Sequence, residues 1–307
     1  MTAHHRPLTP DERRNQAAML TFSGANGIGF NLLSSSLVLA VLIRALGGST
    51  FLVGVMANYR LLSRLIWPLA VSAYLMQHNG RKKILGAIQF FRFSLYVMLG
   101  VLVGLLGMSH PHLILATLFI LLFVDALLMG ALQVTRLDLL GRIFPEWGQT
   151  LFFANDQLLA GVLGVLSGFL LSLILRSQNG AQVPLDRYAL LFILAGSAVL
   201  ISMMGVLLVK EKASRIAKHG RESVKHQLQI GWMLFRRNRN YHYFLLTRIS
   251  LPLYHIATPF YIIYATEILH VPAIMIGVYT MIQVGAKLLT NFLWRWIDHP
   301  TVGAHNG

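Results

Sequence analysis

Two arginines four residues apart, Arg60 and Arg64, lie in the middle of one apolar stretch, and a single carboxylate, Asp125, lies in the middle of another. A spacing of four puts both guanidinium groups on one face of a helix. A charge surrounded by hydrocarbon needs a partner, water or a route to the headgroups, which leaves two readings. In the first, Arg60 or Arg64 of the second span forms a buried ion pair with Asp125 of the fourth, or an arginine reaches toward a surface. In the second, the guanidinium groups line a water-filled cavity that attracts an anionic solute, with Asp125 as counter-charge or proton carrier. Asn31 and His255 complete the candidate substrate-binding set. Asn31 forms a polar stripe with Gly27 and Ser34, and His255 lies between Pro252 and Pro259. The stripe also suits close helix packing through small residues, and a lone histidine can be satisfied by a backbone carbonyl. Arg92, Asp156, Arg248 and Lys287 are the remaining charges in or near apolar stretches.

Other chemistries are excluded by what is missing. The chain has no cysteine, which removes disulfides, thiolate metal sites and cysteine nucleophiles. The sequence also lacks the Gly-x-x-x-x-Gly-Lys-Ser/Thr cradle for phosphates, the His-Glu-x-x-His of zinc hydrolases and the Gly-x-Ser-x-Gly of serine hydrolases. We therefore expect no enzyme, no cofactor and no metal.

The elements that must position these residues follow from composition. Of 307 residues, 55% are hydrophobic and only 12% are charged, half the charge of an average soluble domain. Hydropathy marks eight spans, at 17–43, 51–75, 84–108, 113–134, 151–175, 188–209, 241–267 and 271–293. Each is long enough to cross about 30 Å of hydrocarbon as a helix, and none alternates as a barrel strand would. The expected fold is all-α, a polytopic membrane protein of about eight transmembrane helices.

The excess of 26 Lys and Arg over 11 Asp and Glu is a topology signal. With the N-terminus inside, most of the basic residues fall in cytoplasmic segments, while the outer connections hold only Arg44, Arg176 and Arg187. The charge is thereby explained by membrane lipid, and nucleic acid is not an expected partner. The layout is a cytoplasmic N-terminus (1–16), a six-helix half (17–209), a basic cytoplasmic linker (210–240), two helices of a second half (241–293) and a cytoplasmic tail (294–307).

A repeat crosses the linker. Leu46 precedes Gly54-Val55 by eight residues, and Leu269 precedes Gly277-Val278 by eight; ten residues past each glycine stands a basic residue, Arg64 and Lys287. The seventh and eighth spans read as a second copy of the first and second. Between the second and third spans, Gly80-Arg81-Lys82-Lys83 matches the end of a Gly-x-x-x-Asp-Arg-x-Gly-Arg-Arg/Lys motif, with Gln77 at the Asp position. Trp294 to Asp298 is a partial echo after the eighth span, and Gly141 to Glu146 follows the fourth. On these motifs and this layout the chain resembles the major facilitator superfamily of secondary transporters. It departs in having Ala126 where the fourth helix often carries Arg, and no Gly-Pro beside Gly161, Gly164 and Gly168 in the fifth. Antiport of drugs against protons is therefore not expected.

The resemblance implies a complete six-helix half plus the first two helices of a second half, truncated after the eighth helix. It implies secondary active transport of a small solute by alternating access across the plasma (inner) membrane, with protons as one available coupling ion. It also implies a cytoplasmic gate at Gly80, Arg81, Lys82 and Lys83, with Asp298 as the second-half equivalent. Arg60 and Arg64 lean toward organic anions, while Tyr254, Tyr261 and Tyr264 suit sugars or amphipathic compounds. The competing reading is a truncated or non-transporting membrane protein with a regulatory or interaction role through its basic linker.

Overall fold

The computed structural model describes residues 9–34, 36–56, 80–107, 109–176, 183–211 and 257–297, with scattered residues in 67–75 and 229–250. The described residues form helices and no strand: α1 Pro10–Leu32, α2 Val38–Ala45, α3 Arg81–Leu106, α4 Pro111–Ile143, α5 Glu146–Ile174, α6 Leu185–Leu208, α7 Thr258–Ile263 and α8 Met275–Ile297. A π-helical turn, Tyr264–Ile268, continues α7. Four of these, α3 to α6, are long and apolar enough to cross a membrane. Their outward faces carry Phe91, Leu105, Ile120, Val162, Leu190 and Ile201, all exposed, as suits a molecule surrounded by lipid.

Prolines and glycines set the ends. Pro111 opens α4 from its first turn, and Pro145 and Pro184 precede α5 and α6 in extended conformation, where a missing N–H costs nothing. Gly80, at φ 88°, turns the chain into α3 through a left-handed conformation that favours glycine. A capping box starts α1, seven residues before the apolar run: Glu12 N–H donates to Thr9 Oγ1 (3.3 Å) and Thr9 N–H to Glu12 Oε2 (2.8 Å).

Two elements differ from the hydropathy reading. The first span is not one helix, because α1 ends at Leu32 and α2 begins at Val38. Ser34 and Ser36 lie in the interruption, with their hydroxyl oxygens 3.3 Å apart. Such side chains compete for the bonds that a helix would use. The fourth span ends by hydropathy at residue 134, but α4 runs on to Ile143. Its last turns are amphipathic rather than apolar, with Thr135, Leu139 and Leu140 buried and Arg136, Asp138 and Arg142 paired to other helices or to each other.

Helix α1 packs against α5 and α6, α3 against α4 and α6, and α5 against α8. One core gathers around Met19, Phe22, Leu85, Leu139, Phe152 and Val206, and a larger one around Leu39, Tyr96, Leu118, Leu171, Tyr188 and Phe192. Lipid tails are as apolar as these side chains, so helix association here rests on close packing more than on escape from water. The seam between α5 and α8 is the closest approach. A Cβ on Gly168 would stand 2.8 Å from the Gly277 carbonyl oxygen and 2.9 Å from the Met281 nitrogen. Only glycine leaves room for backbone against backbone there.

Candidate functional site

Asp125 has no exposed surface, and neither of its oxygens faces an empty space. Arg92 Nε donates to Oδ1 at 2.8 Å, and the Tyr96 hydroxyl donates to Oδ2 at 3.0 Å. The rest of the guanidinium is equally engaged. Nη1 donates to Asn26 Oδ1 (2.6 Å) and Gln89 Oε1 (3.0 Å), and Nη2 to the Tyr96 oxygen (2.9 Å). Gln89 Nε2 in turn donates to Ser202 Oγ (2.6 Å), which donates to the Phe22 carbonyl (2.8 Å). The network joins α1, α3, α4 and α6. A buried pair with this many hydrogen bonds offsets its desolvation, whereas losing one member leaves an uncompensated charge.

Arg92 was visible in the sequence as a charge within a span, but not as the partner of Asp125. A signal was available. Arg92 precedes the turn at Gly107 by about as many residues as Asp125 follows it, so an antiparallel pair of helices brings the two to one depth.

A second cluster lies at the opening of α3. Arg81 Nε pairs with Asp138 of α4, and Arg142 pairs with the same carboxylate at 3.3 Å. Glu211, just past α6, accepts from the backbone N–H groups of Arg81 and Lys82, both at 3.1 Å. Gly80 has no side chain to cap α3, so a carboxylate from another helix end takes the role at the positive pole of the helix. Lys82 Nζ donates to the Val209 carbonyl at 2.8 Å. The Gly80-Arg81-Lys82-Lys83 segment thus ties α3 to the end of α4 and to the chain at and just past the end of α6.

Deeper from this end, Arg136 Nη2 donates to Asp156 Oδ2 at 2.6 Å, and its guanidinium lies over the rings of Phe22 (5.9 Å) and Phe152 (5.8 Å). Asp156 Oδ1 and Arg136 Nε are buried with no hydrogen-bond partner. Of the two buried carboxylates, Asp156 is the one with an oxygen to offer.

A third arrangement joins α2 to the π-helical turn after α7. Arg44, in the last turn of α2, meets Glu267 of the π-helical turn through Nε to Oε1 (2.5 Å) and Nη2 to Oε2 (3.0 Å). Its Nη1 donates to the Gly48 carbonyl at 2.8 Å. Arg44 and Glu267 are 223 residues apart, the same offset that relates Leu46 to Leu269 and Gly54 to Gly277. The pair therefore spans the same interval as those two sequence marks. About two turns along from Arg44, a cavity of about 270 Å³ opens between Leu37 at the helix interruption, Thr258, Tyr261, Ile262 and Ala265 of the α7 segment, and Tyr279 and Gln283 of α8.

Of the remaining candidates, Asn31 lies on α1 against α5, its amide nitrogen 3.3 Å from where a Gly164 Cβ would be. Lys287 is exposed on α8. Arg60, Arg64, Arg248, His255 and Asp298 lie outside the described residues. No group of His, Asp or Glu among the described residues is arranged to hold a metal ion. Comparison with protein-family models, curated proteins and solved structures finds no match to this chain.

Proposed function

We propose that the chain is a secondary transporter of the major facilitator type, an integral membrane protein of eight crossing helices. Six form a first half and two open a second, with the N-terminus cytoplasmic and the plasma (inner) membrane as its location. It carries a small solute by alternating access. The observation behind this reading is the Arg44–Glu267 pair, a contact between repeat-equivalent points of the two halves at one end of the molecule. Two halves that rock about a central site need closures that can be made and unmade. This pair has the strength for that, since its side chains are 33% and 37% exposed and such pairs contribute about 0.2–1 kcal/mol.

The glycine seam between α5 and α8 supports the same reading, because smooth close-packed backbones provide a surface on which the halves meet. A proton is the coupling ion suited to the buried carboxylates. Asp156 has one oxygen without a hydrogen-bond partner, whereas both oxygens of Asp125 are engaged by Arg92 and Tyr96. The test is flux into proteoliposomes with insertion verified by protease mapping. Saturable uptake of at least one organic solute, faster with an imposed pH gradient, is expected. No flux for any class of neutral, anionic or cationic solute overturns the proposal and favours a non-transporting membrane protein.

A further inference from the structure

The cavity between α2, α7 and α8 has a chemistry distinct from that of the arginine-based candidates. Its polar lining is one hydroxyl, two phenols and one carboxamide, from Thr258, Tyr261, Tyr279 and Gln283, and the rest is aliphatic. Each of those polar groups except the amide can both donate and accept through a single oxygen, and the amide does so through two atoms. Among the described residues, no charged side chain lines the cavity. At the 223-residue offset Gln283 corresponds in sequence to Arg60, an amide where the earlier segment has a cation.

The surrounding charges do not alter this. Arg44 and Glu267 neutralise each other, and Lys287, one turn beyond Gln283, stays exposed and outside the lining. An ion held among these groups would lose its hydration without gaining a counter-charge, which is costly. A neutral solute with one apolar ring and one or two hydrogen-bonding groups loses little and gains packing against the tyrosines. A volume of about 270 Å³ lies near the lower end of small-molecule pockets, the scale of a single substituted ring.

We propose that this cavity binds small, uncharged, monocyclic aromatic solutes bearing hydroxyl or amide groups, with Tyr279 and Gln283 supplying the hydrogen bonds. This rests on the transport reading for its purpose but not for its existence, so the two are tested separately. The probes are 4-hydroxybenzamide and 4-hydroxybenzoate, which match in shape and differ in charge at neutral pH. Binding to the full chain in lipid nanodiscs is measured by equilibrium dialysis.

The amide is expected to bind at least tenfold more tightly than the carboxylate. Tyr279→Phe removes one oxygen and keeps the ring, and is expected to weaken amide binding about fivefold; Gln283→Leu, checked for folding by its melting temperature, is expected to weaken it by tenfold or more. Equal or tighter binding of the carboxylate overturns the proposal, as does absence of saturable amide binding. Amide affinity unchanged within twofold in both folded variants also overturns it. Amide binding without flux of any solute class refutes transport and leaves the site standing. Flux of a solute that neither variant affects leaves transport standing and refutes this site as the carrier's own.

Discussion

Replacing Arg44 with Gln removes one side of the only charged contact between repeat-equivalent positions among the described residues, and leaves the fold's cores untouched. Arg44 donates twice to Glu267 and once to Gly48, so its loss belongs at the upper end of the range for exposed pairs, about 1 kcal/mol. If that bond is made only in the closed arrangement, its loss multiplies the open population by about fivefold at 25 °C. The chain has no cysteine, so a single Thr258→Cys substitution supplies one reporter on the cavity lining with no background. The rate of modification by a membrane-impermeant maleimide, added to intact cells or right-side-out vesicles, is compared with and without Arg44→Gln. A rise of about threefold to fivefold is expected, and the paired exchange Arg44→Glu with Glu267→Arg is expected to bring the rate most of the way back. An unchanged rate in Arg44→Gln, with equal labelling after denaturation, refutes the closure. So does a paired exchange that labels as fast as the single variant.

Four further outcomes follow from the packing. Asp125→Asn leaves Arg92 buried without its counter-charge and is expected to destabilise the protein by about 3–5 kcal/mol, read as a lower melting temperature in detergent. Arg92→Met combined with Asp125→Leu is expected to cost less than either single change does. Gly168→Ala drives a methyl group into the Gly277 carbonyl and is expected to cost about 1–3 kcal/mol. Gly285→Ala, whose added Cβ meets nothing within 4 Å, is expected to be neutral or to stabilise by up to about 1 kcal/mol, and a larger loss there than at Gly168 would refute the seam.

Much of the architecture was legible in the sequence because apolar runs and prolines carry it. Pro111, Pro145 and Pro184 stand within a few residues of the starts of α4, α5 and α6, and the spans at 84–108, 151–175 and 188–209 match helices to within about five residues at each end. The interruption after Leu32 was hidden for the opposite reason. Hydropathy runs unbroken through the leucines on either side of Ser34, Ser35 and Ser36, and a window long enough to find a membrane span averages over three hydroxyls.

The α4 extension to Ile143 was hidden because polarity marks where the bilayer ends, not where the helix does. In the candidate site, Asp125 was recognised as an ionic residue needing a partner, but its partner is on α3 and depends on tertiary depth. Arg44 was counted only as an outer basic residue. Its relation to Glu267 appears once the offset of the repeat is applied to charges as well as to glycines. Tyr279 and Gln283 carried no signal, since a phenol and an amide on an apolar helix resemble ordinary packing until three elements bring them to one cavity.

The opposite signs of Arg44 and Glu267 also govern which chains can join. A two-fold axis sets each residue on it against its own counterpart, so two identical first halves would bring arginine against arginine and repel. If the two segments are copies, as proposed, the opposite charges favour contact of one with the other over contact of either with its like.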